Sequence, residues 1–139
     1  MINFTSIVNG FNLKSSKDKS DWIKKTIEKE GKKVGEIQYV FCDDYYLLEI
    51  NRKFLKHDYY TDIITFPLAD SKNIISGEIY ISLERIEENA KLNNVLFEDE
   101  LARVMIHGIL HMIGYDDHTK EEKNEMREKE DYYLNLLKE

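Results

Sequence analysis

The segment from Glu98 to Ile113 constrains the fold of this chain more than any other. Leu101, Ala102, Val104, Met105, Ile106, Ile109, Leu110, Met112 and Ile113 leave it apolar on nearly every side. As a helix it has to lie in the core, with the rest of the chain built round it. Its polar exceptions include Glu100, Arg103, His107 and His111. At about 100° per residue these four fall within roughly 80° of one another, so they form one stripe.

The flanking sequence supplies a sheet for that helix. Residues 2–8 are rich in β-branched residues and read as a strand ended by Asn9-Gly10. Ser15-x-x-Asp18 resembles a capping box opening a helix, with Trp22, Ile23 and Ile27 on one side and Gly31 as terminator. Residues 34–42 alternate and then turn fully apolar, the pattern of a strand with a buried end. Asp43 or Asp44 caps a helix running to about Leu55. Residues 61–68 and 77–82 predict two more strands, joined through the turn-rich Ala69-Asp70-Ser71-Lys72-Asn73. Helices are expected at about 83–93, 98–113 and 119–138. The order βαβαββααα points to an α+β fold, a mixed four-stranded sheet sandwiched with about five helices. At 139 residues the chain suits a single domain spanning 1–139.

Composition narrows the classes. A net charge of −7 argues against wholesale attachment to nucleic acid or an anionic membrane; the cluster Lys14, Lys17, Lys19, Lys24, Lys25, Lys32 and Lys33 is either a local phosphate-binding patch or, the more usual case, a solvated helix face. No stretch approaches the ~20 apolar residues of a membrane span. The N-terminus has neither the basic start nor the apolar run of a signal peptide, so a cytoplasmic protein without membrane association is expected. Cys42, the single cysteine, lies in an apolar run and is expected to be a buried, inert thiol.

His107 and His111 stand one turn apart, so their imidazoles converge as metal ligands do. Gly114 can end the helix in a turn that other residues resist, sending the chain back toward them. The pattern H-x-x-x-H-x-x-G-x-x-[H or D] places its third donor six residues after the second histidine, and here that residue is Asp117. A one-residue bulge would deliver His118 instead, a more usual zinc ligand. Three protein donors leave a position open, which lowers the pKa of bound water toward ~7 and makes zinc-assisted hydrolysis, with one ion per chain, the expected chemistry.

Zinc peptidases carry a glutamate general base directly after the first histidine, and this chain has Gly108 there. The base must be found elsewhere. Asp116, whichever of Asp117 and His118 is not a ligand, Arg103 and Glu100 are the nearby groups. His57 is either a further acid/base group reaching the site or an exposed loop residue. Thr61, Asp62 and Thr65 either line a cleft or simply alternate along a strand.

The segment His107-Gly-Ile-Leu-His111-Met-Ile-Gly114-Tyr-Asp-Asp117-His118 resembles the H-G-x-L-H-x-x-G-Y-D-H signature of the YbeY family, with Asp117 standing before the final histidine. The block from Asn51 to Phe66 is similar to that family's N-x-x-Y-R-x-x-D-x-P-T-[DN]-V-L-S-F, and Gly77-Glu78-Ile79-Tyr80-Ile81 to its G-D-I-x-I. The resemblance implies a zinc-dependent, single-strand-specific endoribonuclease that processes the 3′ end of small-subunit rRNA and serves ribosome quality control, with rRNA and a ribosomal protein as partners. Tyr60 replaces the family's proline. Leu55 stands where the family has an arginine that engages substrate, which passes that contact to Arg52, Lys53 or Lys56 or abolishes it. Two other readings are a non-catalytic ribosome-assembly factor with a structural metal and a small zinc peptidase.

Overall fold

The computed structural model describes residues 1–68 and 73–139. Its elements are β1 (Ile2–Ser6), α1 (Ser16–Lys29), β2 (Lys33–Cys42), α2 (Asp44–Leu55), β3 (Ile63–Pro67), β4 (Ile74–Ser82), α3 (Leu83–Asn93), α4 (Phe97–Ile113) and α5 (Lys120–Lys138). The strands form one mixed sheet in the order β1-β2-β4-β3. β1, β2 and β4 run parallel, and β3 pairs antiparallel with β4 at the edge. The expected α+β architecture of four strands and five helices is what forms among the described residues.

Alternation along the strands builds two cores. Ile37, Tyr39, Phe41, Ile79 and Ile81 point to the face where Trp22, Ile23, Ile27, Leu101, Met105, Ile109, Met126 and Tyr133 of α1, α4 and α5 pack. Cys42 and Ile64 point the other way, against Leu47 and Ile50 of α2. The central helix is fixed to the sheet by a hydrogen bond from Tyr39 Oη to the Met105 carbonyl, 2.8 Å. Cys42 is fully buried, and burial, with Asp43 and Asp44 nearby, pushes its thiol up to about 12.

The ends of the elements follow local chemistry. Asp43 caps α2, its carboxylate accepting from Tyr46 N, whereas Asp44 accepts from Ser82 Oγ and Arg85. Thr119 and Glu122 form a full capping box at the start of α5, an arrangement worth on the order of 1 kcal/mol. Ser15 does not cap α1 through its side chain: it sits at φ 53°, and its carbonyl accepts from Lys19 N instead. β4 begins three residues before the expected start because Lys33 and Val34 pair with Ile74 and Ile75 across a bulge in β2. Of the expected turn at 69–73, all but Asn73 lies outside the described residues.

Candidate metal centre

α4 presents His107 and His111 on its one polar stripe, their rings 4.6 Å apart at 83°. Gly114 takes φ 130°, a conformation side chains resist, and its N–H donates to the Leu110 and His111 carbonyls. The chain then turns back, and Asp117 Oδ2 comes to 3.5 Å from His107 Nε2 and 3.4 Å from His111 Nε2. One donor atom from each of the three residues lies within 4.8 Å of those of the other two. Donors held about 2.0–2.1 Å from one tetrahedral ion sit roughly 3.4 Å from each other. The two histidine–aspartate spacings match that, so the set fits a zinc-sized cation. His118, the alternative third donor, is exposed, and its backbone N–H joins the start of α5 by donating to Glu122 Oε1.

The three residues line a cleft whose walls also include Asn51, Leu55, His57, Tyr59, Thr61, Asp62, Ile63 and Thr65. Asn51 is buried at the base of this wall, and its Nδ2 donates to the Tyr59 carbonyl at 2.8 Å, fixing the loop after α2. His57 stacks on the Tyr59 ring with centroids 5.2 Å apart. Asp62 immediately precedes β3, and burial raises its pKa against the partial compensation of His107. Thr61, Asp62 and Thr65 therefore do line the cleft.

Other polar residues are placed elsewhere. Arg103 turns toward α5, where Nη1 meets Glu130 Oε1 at 2.8 Å and Nη2 meets Asp131 Oδ1 at 2.7 Å. Glu100 is buried near Asp62 and Arg103, and burial raises its pKa. Asp116 is exposed. Arg52 is engaged by Asp58 and Glu49, Lys53 lies over the Phe54 ring, and Lys56 ends α2 in a left-handed conformation. None of these six lines the cleft, whereas Leu55 does.

Sequence reasoning missed Glu130. Its side chain is only 7% exposed, and Oε2 lies 2.7 Å from His107 Nδ1. Burial disfavours a charged His107, but the bond and charge of Glu130, with Asp117 and Asp62, hold its pKa above the ordinary histidine value. The signal was present in α5: Met126, Glu130 and Tyr133 are its buried residues, and a carboxylate in the apolar stripe of an amphipathic helix needs a partner.

Gly108 packs against the sheet. A Cβ there would stand 2.9 Å from Ile63 Cδ1 and 3.4 Å from both Ile79 Cγ2 and Thr65 Cγ2. A side chain at this position would run into β3 and β4, so the location of a peptidase general base is closed by packing.

A protein-family model described as Endoribonuclease YbeY matches residues 7–138. A protein of Christiangramia forsetii named Endoribonuclease YbeY is 50% identical over 136 residues, covering 98% of this chain and 94% of that protein. One of the same name from Cytophaga hutchinsonii is 46% identical over 128 residues, covering 92% and 90%. The solution structure of TM1509 from Thermotoga maritima superposes with a TM-score of 0.69 at 33% identity, over 99% of this chain and 89% of the other.

Proposed function

The chain belongs to the YbeY family of endoribonucleases, and on that premise we propose that it is a zinc-dependent, single-strand-specific endoribonuclease of the cytoplasm that matures the 3′ end of small-subunit rRNA and serves ribosome quality control. The observation that carries the reading is the convergence of His107, His111 and Asp117 in an open cleft. Two imidazoles and one carboxylate are a donor set of hydrolytic zinc sites, which keep a coordination position free. A zinc ion held there would supply Lewis acidity and a water acidified enough to attack a phosphodiester near neutral pH.

The chain's own groups support a single-stranded substrate. Among the described residues that line the cleft there is no lysine or arginine, so phosphate neutralisation is not the main grip. Tyr59 is 56% exposed, backed by His57 and close to Leu55. This rim offers a ring face to unpaired bases, which a paired strand cannot present. Asp62 is the one carboxylate outside the donor set among the described residues that line the cleft, and burial raises its pKa, which suits it to taking or giving a proton there.

The two competing readings fare worse. A purely structural zinc is normally enclosed by four protein donors; three converge among the described residues, and they face a cleft. Peptidase chemistry lacks its base because Gly108 is packed on the sheet. The test is cleavage of a single-stranded RNA carrying a small-subunit rRNA 3′ end. Chelation and His107→Ala should each abolish cleavage while the far-ultraviolet circular dichroism stays native, and zinc should restore the chelated enzyme. Equal activity in metal-free protein would refute the proposal.

A further inference from the structure

The two histidines are not equivalent. His107 Nε2 faces Asp117, and its Nδ1 lies 2.7 Å from Glu130 Oε2. The other oxygen of Glu130 accepts from Arg103 Nη1, and Arg103 is held in turn by Asp131. Both acceptors belong to α5, twenty-three and twenty-four residues beyond His107. For His111 the described residues provide no hydrogen-bond acceptor at Nδ1.

We infer that Glu130 is a positioning residue for the metal centre: by accepting the Nδ1 proton of His107 it fixes the tautomer that leaves the Nε2 lone pair directed at the space between Asp117 and His111. The inference rests on the zinc reading above and extends it from the three donors to α5. An imidazole whose Nδ1–H is held by a carboxylate is a more basic donor and cannot rotate or change tautomer freely. Arg103 completes the arrangement, because a carboxylate buried in an apolar helix face is tolerated only with a compensating cation. Glu130 therefore has two bonds with one purpose, and the docking of α5 on α4 becomes part of the metal affinity.

The test is zinc affinity of the full chain, read by competition with a chromophoric chelator, for the native protein, Glu130→Gln and Glu130→Ala. Glu130→Gln preserves shape and an acceptor oxygen, so it keeps the question answerable if Glu130→Ala does not fold. Loss of such a partner weakens metal binding about 10- to 100-fold, and that loss is expected in the alanine variant, with a smaller one in the glutamine variant. In zinc-loaded native protein the His107 Nδ1 proton should resist exchange with solvent, and in Glu130→Ala it should exchange freely, with Glu130→Gln between the two. A packing role alone would lower stability and leave both readouts unchanged among folded molecules. Zinc affinity within twofold of native in both folded variants would overturn the inference while leaving the zinc reading intact; failure of the native chain to bind zinc would overturn both.

Discussion

Tyr115 Oη donates to Glu30 Oε1 at 2.6 Å, joining the loop that carries Asp117 to the C-terminal end of α1 across 85 residues of sequence. Glu30 also accepts from Lys129 Nζ and, through a short bond, from Tyr133 Oη. Asp117 is thus held by a loop whose root is tied to α1 and α5. Tyr115→Phe removes one bond to a charged acceptor and should cost about 1.5–3 kcal/mol in urea unfolding, with weaker zinc binding as Asp117 gains freedom. Unchanged stability and affinity would show that Gly114 alone sets the loop.

The same cluster sets an acid limit. Burial would raise the Glu30 pKa, but the bonds from Tyr115, Tyr133 and Lys129 prevail and hold it below 4.5. The unfolded chain then takes up this proton at a higher pH than the folded one. The stabilisation is complete above the unfolded value near 4.5 and disappears as pH falls through the folded value. Unfolding free energies of native protein and Glu30→Gln should accordingly differ at pH 7 and converge as pH falls through the folded value. A gap that widened on acidification would contradict the assignment.

Gly108→Glu, the substitution that would write a zinc-peptidase motif into this helix, should destabilise by at least about 3 kcal/mol. Overpacking against Ile63 and Ile79 and the burial of a carboxylate both contribute. Digestion of an unstructured protein such as casein should remain absent. A stable variant with proteolytic activity would mean that this face of α4 is not closed.

Stacking, the proposed grip of the cleft on RNA, has two consequences. Tyr59→Ala should raise KM for single-stranded RNA about tenfold with little change in kcat, because a base–aromatic stack contributes about 1–3 kcal/mol. The salt dependence of native binding should be shallow compared with proteins that neutralise many phosphates. A steep loss of affinity between low and physiological salt would place the grip on cations outside the cleft.

Much of this was legible in the sequence because it is local. Hydrophobic period and caps placed the elements, and the i, i+4 histidines with Gly114 placed two donors and the turn. Spacing alone favoured Asp117 without excluding His118, since a single bulge exchanges them; in the structure Asp117 is the residue beside both histidines, and the Thr119–Glu122 capping box draws the His118 backbone into the start of α5. Glu130 and Glu30 were hidden for a different reason. Their partners, His107 and Tyr115, are brought to them by helix packing over more than twenty and more than eighty residues, and no local pattern records such contacts. Arg103 was legible as a member of the polar stripe but not in its direction, because only the position of α5 decides that it faces Glu130 and not the cleft.

The most direct measurement is zinc content together with single-stranded RNA cleavage in Asp117→Ala and His118→Ala, purified alongside the native chain. With His107, His111 and Asp117 as the donors, Asp117→Ala loses the ion and the cleavage, while His118→Ala retains both. Loss of zinc and activity in His118→Ala with both preserved in Asp117→Ala would contradict the account at its centre.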